Sequence, residues 1–416
     1  MRVVHFSTAD RGDEAAVAAY RLHTAMCRYG VDSHMLVVEP SVTDLSVWPA
    51  RPLDRLKIRL SNWWHEGELQ KVDRRYHMQL DLTGIDPLSY PIVRNSDAYL
   101  VHATGGGFLG TAGLQRLLDT GKPVYLFLHD LAPLTGGCGC YLGCPSFTSG
   151  CDHCPAKGGS RVQRAARRKR ETYLFYPNLT LVAPSEWTRQ QLLGAWVCGG
   201  LDATVVPCML DTELFAPHQR LWTRWLFGIP KKAKCLLFVG DTKDPLKGWD
   251  LLRDALVELI PQEWTVVVLG DPSLKGQELP FRHKRLIALE GTRDASTLAA
   301  LYNAVDLTVV PSLMECAGQV AVESLCCGTP VVGYQVAALP ELVENGVNGY
   351  LAKGSSLRDI CVTNLSGALR QQMAHLLSDK ERLVIAEAMA RRVDYGAVVP
   401  PLIKRMEESL GVIGNK

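Results

Sequence analysis

The chain has 416 residues, of which 47% are apolar and 21% are charged, a composition that excludes a disordered or fibrous protein. This length is about three times the roughly 150 residues of an ordinary domain, so it excludes a single small module and favours two domains. The 45 Lys and Arg residues nearly balance the 43 Asp and Glu residues, and the formal charge of +2 argues against nucleic acid as the partner.

Short apolar runs alternate with helical patterns, which predicts parallel sheets covered by helices on both faces. Strands are predicted in the first half at Val3–Ser7, His34–Val38, Ala98–His102, Val124–His129 and Leu179–Ala183. In the second half they are predicted at Lys234–Gly240, Thr265–Gly270, Ile287–Glu290, Leu307–Pro311 and Pro330–Tyr334. Helices are predicted at Ala15–Tyr29, Trp249–Leu259, Ser296–Ala304, Gln319–Cys327 and Asp379–Lys404. The pattern predicts an α/β protein with two Rossmann-like, doubly wound parallel sheets that face each other across a cleft.

The boundary between the two sheets is predicted near residue 210, where VPCMLDTELFAP precedes a new strand. One domain then covers residues 1–210 with a cysteine-rich loop at 136–156, and a second covers 211–385. A C-terminal helix at 386–416 ends the chain or crosses back to the first domain. No apolar run approaches the roughly eighteen residues of a membrane span, and Met1–Ser7 indicates a strand rather than a secretory signal. A cytoplasmic location is therefore expected.

Two basic segments lie outside the predicted strands. Residues 51–64 (RPLDRLKIRLSNWW) place apolar side chains near helical spacing with basic side chains between them. The apolar ones are Leu53, Leu56, Leu60, Trp63 and Trp64, and the basic ones are Arg55, Lys57 and Arg59. This helix either packs on its own domain or lies as a peripheral contact on the inner face of an anionic membrane. The run Arg161–Arg170 (RVQRAARRKR) is either a solvated helix or a site for the phosphate groups of a substrate or lipid.

The most informative stretch is Pro311–Pro330, PSLMECAGQVAVESLCCGTP, which lies between two predicted strands. Glu315 is placed in the loop at the end of a strand, Gly318 opens a helix, and Glu323 lies about a turn and a half inside it. Free amides at such a helix start can bind a phosphate or diphosphate. The carboxylates of Glu315 and Glu323 could then hold hydroxyl groups on either side of that anion. From spacing alone, an ordinary βαβ unit with two solvated glutamates is the alternative.

This stretch resembles the signature of the retaining glycosyltransferases of family four, in PSLME, AGQ and ESLCCGTPVV, and ALPELVENGVNGYL resembles the family's following segment. The resemblance implies the GT-B fold, with an acceptor domain followed by a nucleotide-sugar donor domain. It implies transfer of a sugar, with retention, from a UDP-type or GDP-type nucleotide diphosphate sugar. The acceptor hydroxyl would belong to a glycan, a lipid-linked molecule or a small molecule, as in glycan or surface polysaccharide synthesis. No cofactor is implied for catalysis.

The resemblance also implies roles for particular residues. Glu323 would bind the ribose hydroxyls and Glu315 the donor sugar, with the backbone amides of Ala317, Gly318 and Gln319 close to it. Lys247, in LKGW, would stabilise the leaving diphosphate as charge builds on it. The family's usual arginine is missing after LLFVG, so the second positive charge is assigned to Lys243.

In the first half, GKPVYLFLHDLAPLTGGCGC resembles a subgroup with the motif H-D-x-x-P-x-T-G-G-C. The resemblance places His129 beside the donor sugar as a catalytic residue, whereas a lone histidine after a strand would more often be structural. Gly12 is retained from the family's glycine-rich opening loop. Asp13 and Glu14 stand where small glycines are usual, and they would repel a diphosphate unless they face the acceptor.

The chain has 13 cysteines, five of them between residues 138 and 154. Cys138, Cys144, Cys151 and Cys154 resemble a four-cysteine pattern of the subgroup, with Cys140 and His153 as further candidates. The Cys-x2-Cys spacing of Cys151 and Cys154 is typical of a zinc knuckle, so a structural zinc is predicted. Disulfides and free thiols are the alternatives.

Three other functions are weighed against a transferase. A nucleotide-sugar epimerase of the same fold would act on the donor without an acceptor. A non-catalytic nucleotide-sugar-binding protein would explain Asp13, Glu14 and the missing arginine. A nucleic-acid-binding protein would use the cysteines and Arg161–Arg170, but the balanced charge disfavours it.

Overall fold

A computed structural model describes residues 1–69, 72–79, 84–156, 159–259, 264–277, 280, 285–292 and 294–414. The chain forms two compact units. Unit 1 consists of Met1–Met209 and Gly396–Lys416, and unit 2 of Leu210–Tyr395. The segment predicted as one C-terminal element at 386–416 is therefore divided, because residues 386–395 belong to unit 2 and the rest belongs to unit 1.

Unit 1 is built on a seven-stranded parallel sheet. Its strands are β1 (Arg2–Phe6), β2 (Asp32–Val37), β3 (Val47–Pro49), β4 (Ala98–Val101), β5 (Val124–Phe127), β6 (Leu179–Ala183) and β7 (Ala203–Val205), in the order β3-β2-β1-β4-β5-β6-β7. Every residue of β4 and β5 is buried, as expected for strands that helices cover on both faces. The helices are α1 (Glu14–Arg28), α2 (Pro52–Leu69), α3 (Pro91–Arg94), α4 (Gly110–Leu118), α5 (Gly159–Phe175) and α6 (Glu186–Gly194).

Unit 2 is built on a six-stranded parallel sheet. Its strands are β8 (Lys234–Val239), β9 (Trp264–Leu269), β10 (Arg285–Leu289), β11 (Leu307–Val310), β12 (Val331–Tyr334) and β13 (Gly349–Ala352), in the order β10-β9-β8-β11-β12-β13. Its helices are α7 (Arg220–Leu226), α8 (Trp249–Glu258), α9 (Ala295–Ala304), α10 (Gln319–Cys326), α11 (Leu339–Leu342), α12 (Arg358–Ala374) and α13 (Asp379–Val393), and α14 (Tyr395–Gly414) follows.

The core of unit 2 lies on both faces of its sheet. Along β8, Cys235 and Leu237 pack into one apolar cluster with α9 and α10, whereas Leu236 and Phe238 pack into another with α8 and α12. The alternation follows the two-residue period of a strand. This arrangement confirms the predicted α/β architecture of doubly wound parallel sheets.

Several elements differ from the prediction: helices α4, α6, α7 and α12 were not predicted, and neither were the three short strands β3, β7 and β13. The helix predicted at Asp379–Lys404 is two helices, α13 and α14, because the backbone of Asp394 is extended with ψ at 144°. In the described part of the chain, no helix is both long and apolar enough to cross a membrane.

Candidate active site

In unit 2, a lysine and a glutamate meet at the carboxyl ends of the neighbouring strands β8 and β11. Lys247, in the loop before α8, has its Nζ 3.3 Å from Oε1 of Glu315, in the loop before α10. The two loops are joined by a backbone hydrogen bond from Leu313 to the carbonyl of Leu246. Glu315 is 6% exposed and the Lys247 side chain 23%, so the lysine is the more accessible partner. The predicted pair is thus brought together where open α/β sheets bind ligands.

The start of α10 has the backbone that the sequence predicts. Gly318 has φ at +65°, and a Cβ on it would lie 2.6 Å from Cδ1 of Leu342, so a side chain is disfavoured there. Gln319 follows as the first helical residue, is 6% exposed, and has no hydrogen-bond partner for Nε2 among the described residues. A buried donor without a partner costs about 1–3 kcal/mol, which is typical of a site where a ligand supplies the acceptor. Ala317, just before Gly318, is partly buried.

Glu323 is the second predicted carboxylate, and it lies 5% exposed inside α10. Its Oε2 accepts a 2.9 Å hydrogen bond from the hydroxyl of Tyr302 on α9, which is 1% exposed. The bond holds the carboxylate in one orientation. Tyr302 was not predicted, because the sequence carries no local signal that links it to a residue 21 positions later.

Lys243 lies in the same loop as Lys247, but its charge affects the carboxylate of Asp271. Its side chain is exposed, and its backbone N–H donates to Oδ1 of Asp241. Hydrogen bonds from Ser273 and Thr242 lower the pKa of Asp271, and the charge of Lys243 lowers it further. The structure therefore places the charge of Lys243 near Asp271.

Unit 1 has a cavity of about 350 Å³ at the carboxyl ends of its central strands. Residues from five regions of the chain line it, among them Thr8, Asp13, Asn62, His102, His129 and Asp130. His129, two residues beyond β5, has its Nε2 2.9 Å from Nδ1 of His102, and Nε2 of His102 lies 3.0 Å from Nδ1 of His5. Burial lowers the pKa of His129 to about 4, against an opposing effect of Asp13, so this imidazole is neutral at pH 7.

The opening loop of unit 1 gives Asp13 a structural role. Its Oδ1 accepts a 2.8 Å hydrogen bond from the N–H of Ala16, which makes it the N-cap of α1, and Glu14 follows in the first turn. Gly12 precedes it and is partly buried. The carboxylate of Asp13 occupies the helix start and also lines the cavity, so a diphosphate is disfavoured there.

The zinc prediction is not supported. Among the described residues, no three His, Cys, Asp or Glu side chains are arranged to hold a metal ion. Cys138, Cys144, Cys151 and Cys154 are thiols that influence one another electrostatically, but Cys151 Sγ accepts from the N–H of Gly136. The further candidates Cys140 and His153 belong to no such group of described residues either, and the side chain of His153 is 91% exposed beside Asp152.

Part of the basic run anchors the segment that leads into the cysteine-rich loop. Lys169, 1% exposed, donates from Nζ to the carbonyls of Ala132 and Thr135, at 2.7 and 3.3 Å. The guanidinium of Arg170 lies 4.7 Å from the centre of the Trp196 ring. At Lys169 the run is neither solvated nor open to phosphate groups, whereas Arg170 is partly buried.

Residues 233–379, about a third of the chain, match the family model described as glycosyl transferases group 1. D-inositol 3-phosphate glycosyltransferase of Geodermatophilus obscurus is 34% identical over 216 residues, which cover 48% of this chain and 48% of that protein. The chain thus spans about half the length of the curated relatives it matches. These matches support the predicted transferase class and the coarser family resemblance.

Solved structures share the fold over nearly the whole chain. Sucrose-phosphate synthase from Thermosynechococcus elongatus superposes with a TM-score of 0.67 at 15% identity, covering 99% of both chains. Anabaena HepE in complex with UDP-glucose superposes with a TM-score of 0.61 at 16% identity, covering 99% of this chain and 100% of that one. The predicted GT-B fold is confirmed.

Proposed function

We propose that this protein is a retaining glycosyltransferase that moves a sugar from a nucleotide diphosphate sugar to an acceptor hydroxyl. The observation that carries the proposal is the 3.3 Å pair of Lys247 and Glu315 at the carboxyl ends of β8 and β11. A leaving diphosphate requires a cation as negative charge develops on it, and the hydroxyls of a sugar require a carboxylate that accepts their hydrogen bonds. The pair supplies both groups within the segment that matches the transferase family model.

The nucleotide would be held by Glu323 and the start of α10. A buried carboxylate oriented by Tyr302 suits two neighbouring ribose hydroxyls, which donate two hydrogen bonds. Gln319, whose Nε2 has no partner among the described residues, would donate a hydrogen bond to an oxygen of the nucleotide sugar. The amides at the start of α10 would add partial positive charge toward the diphosphate. HepE is solved with UDP-glucose, so UDP sugars are the first donors to test, with GDP sugars beside them.

The acceptor would bind in the cavity of unit 1. Its lining includes neutral His129 and the side chain of Asn62, both suited to hydroxyl groups. Asp13 disfavours a phosphate at its own end of the cavity, so a sugar or cyclitol hydroxyl fits that end best. The relatives named as D-inositol 3-phosphate glycosyltransferases make inositol 3-phosphate a small-molecule acceptor to test beside glycan and lipid-linked ones.

We also propose a membrane contact through α2. Leu53, Leu56, Leu60 and Trp63 lie on one side of this helix and are 73, 54, 58 and 74% exposed; the Trp64 side chain lies outside the described residues. Lys57 and Arg59 flank this stripe, with side chains 73 and 72% exposed. Arg55 and Arg59 share Glu39, and Lys57 approaches Asp54, so three cations face two carboxylates. An apolar stripe with a net positive border suits an anionic bilayer.

Co-sedimentation with vesicles tests this contact. We expect wild type to bind vesicles rich in phosphatidylglycerol more strongly than vesicles of phosphatidylcholine alone. Leu60→Ser should weaken binding about ten- to a hundredfold, because a leucine side chain buried in lipid contributes roughly 1.5–3 kcal/mol. Leu383→Ser, at a position 49% exposed on α13 of unit 2, is the matched control and should bind as wild type does. Equal binding by both variants would contradict the contact.

Thermal melting with a panel of UDP and GDP sugars tests the donor site. A ligand at a hundred times its Kd stabilises the folded state by about 2.7 kcal/mol, which raises Tm by several degrees. We expect that rise in wild type and in Glu344→Gln, an exposed glutamate of the same unit, but a much smaller one in Glu323→Gln. The proposal would be contradicted if no nucleotide sugar raised the Tm of wild type, or if the Tm of all three proteins rose equally.

Kinetic assays distinguish a transferase from two other functions. An epimerase would convert the donor sugar with no acceptor present. A binding protein would show the Tm shift without turnover of any donor. A transferase releases the nucleoside diphosphate at a rate that depends on the acceptor, and Glu315→Gln should lose that release.

A further inference from the structure

Three histidines form a line from the interior of unit 1 to its cavity. His5 lies on β1, His102 directly follows β4, and His129 comes two residues after β5; these three strands are neighbours in the sheet. His5 is paired with Leu100, two residues before His102, and Leu100 is paired with Tyr125, four residues before His129. Because alternate residues of a strand point to the same face, steps of two residues keep the three side chains on one face of the sheet.

The rings are placed for nitrogen-to-nitrogen hydrogen bonds. Nδ1 of His5 lies 3.0 Å from Nε2 of His102, and Nδ1 of His102 lies 2.9 Å from Nε2 of His129. The ring planes differ by only 8° and 27°. His5 is fully buried and His102 is 5% exposed, whereas His129 is the partly exposed end. The three histidines therefore connect His5, a core residue outside the cavity lining, to His102 and His129, which belong to that lining.

All three imidazoles are held neutral by their surroundings. Burial lowers the pKa of His5 and His102 well below the usual value, and His23 beside His5 lowers it further in both. Burial lowers the pKa of His129 to about 4, and only Asp13 opposes this shift. A neutral imidazole carries one N–H, so each contact has one donor and one acceptor.

Two proton arrangements satisfy both contacts. In the first, every ring carries its proton on Nδ1, and Nε2 of His5 is left as a buried acceptor. In the second, every ring carries its proton on Nε2, and His5 is left with a buried N–H. Nε2 of His5 has no hydrogen-bond partner among the described residues. Orphaned buried N–H groups are rarer than buried acceptors without a partner, so the first arrangement is favoured.

We propose that His5 and His102 are positioning residues that hold His129 in the tautomer with its proton on Nδ1. His129 then offers the cavity an N–H donor and not a base. The ligand class that this suits is an uncharged oxygen acceptor, such as a hydroxyl or ring oxygen of a sugar or cyclitol. The identity of that ligand rests on the proposed function, whereas the tautomer does not.

The tautomer can be measured without any substrate. Protein labelled with 15N in its histidines gives separate NMR signals for protonated and unprotonated ring nitrogens, and the His129 signals are assigned as those missing from His129→Gln. We expect His129 of wild type to carry its proton on Nδ1. In His5→Leu the donor at the start of the line is gone, so a substantial Nε2-protonated fraction should appear. In His5→Asn the amide nitrogen replaces Nδ1 as the donor, and the wild-type tautomer should return.

A matched control and a rate measurement complete the test. His23→Gln alters a buried histidine whose ring lies 5.6 Å from that of His5 but which has no nitrogen contact with the line, so the His129 signals should not move. The kcat for transfer should fall about three- to tenfold in His5→Leu, the size of one hydrogen bond, and recover in His5→Asn.

The outcomes separate the two claims. Nε2 protonation of His129 in wild type, or an unchanged tautomer in His5→Leu, would overturn the inference. A wild type that keeps the Nδ1 proton but transfers no sugar would support the positioning role and overturn the proposed function.

Discussion

At the scale of residues, one hydroxyl prepares the donor site of unit 2. Tyr302 donates to Glu323, so Tyr302→Phe should free the carboxylate to rotate and lower the affinity for UDP about three- to tenfold. Calorimetric titration measures the change. Tyr334→Phe is the matched control, because Tyr334 is also buried in unit 2 but donates to the carbonyl of Cys361. Equal losses in the two variants would contradict the orienting role of Tyr302.

The buried Lys169 is a second residue whose substitution should lower the stability of the protein. Lys169→Met removes the ammonium that donates to two buried carbonyls, of which, among the described residues, only that of Ala132 keeps a second donor, the N–H of Thr135. The variant should lower the free energy of unfolding by about 1–3 kcal/mol. It should also speed the reaction of the thiols in the cysteine-rich loop with a thiol reagent, because the segment Ala132–Thr135, which leads into that loop, loses its anchor. Arg167→Met, at an exposed position of the same helix, should change neither quantity. Urea unfolding and thiol kinetics together check this prediction.

The sequence predicts residues well where one short segment carries the whole pattern. Glu315, Gly318 and Glu323 belong to one strand, loop and helix, and all three lie where the pattern predicts. The line of histidines could not be predicted in this way. His5 and His102 are 97 residues apart, and only the order of β1, β4 and β5 brings them together. The zinc prediction is not supported, and spacing alone could not decide it, since spacing along the chain does not fix where thiols converge.

At the scale of elements, Gly248 is the residue on which the start of α8 depends. It has φ at +70°, and a Cβ on it would lie 2.1 Å from the carbonyl oxygen of Pro311. Gly248→Ala should therefore lower the free energy of unfolding by at least about 2 kcal/mol. The same substitution at Gly367, inside α12 with no atom within 4 Å of its Cβ position, should raise it by about 0.5–1 kcal/mol. Opposite signs in urea unfolding are expected, and a loss of stability in both variants would contradict the account.

The elements themselves were largely predictable because both sheets are parallel and buried. Such strands contain continuous apolar runs, as in Val266–Leu269, and they stand out from the amphipathic helices between them. The C-terminal helix was harder to predict, because Asp394 interrupts it with no proline or glycine at that position. The exposed apolar stripe of α2 was predicted as a pattern, but only the structure distinguishes a core-facing stripe from an exposed one.

At the scale of the whole molecule, unit 1 should be the acid-sensitive part of the chain. Burial lowers the pKa of His23 to about 4 in the folded state, against about 6.5 when unfolded. Between these values the unfolded chain binds more protons, so the stability that His23 contributes is complete above pH 6.5 and is lost as the pH falls toward 4. The histidines of the line act in the same direction.

A variant isolates this contribution. When the pH falls from 6.5 to 4, the free energy of unfolding of His23→Gln should decrease by roughly 2–3 kcal/mol less than that of wild type. The size follows from the shift, since one unit of pKa corresponds to about 1.4 kcal/mol. Urea unfolding at both pH values measures the difference. Parallel pH dependence of the two proteins would show that His23 is not held neutral in the folded state.

The central claim is that unit 2 binds a nucleotide diphosphate sugar and that Glu315 and Lys247 promote transfer from it. The most direct test is the acceptor-dependent release of nucleoside diphosphate from UDP and GDP sugars, with inositol 3-phosphate and simple glycans as acceptors. Wild type and Glu344→Gln should release it at the same rate, and Glu315→Gln and Lys247→Ala should be slower by about a hundredfold or more. Release that is absent with every donor, or equally fast in Glu315→Gln, would contradict the claim.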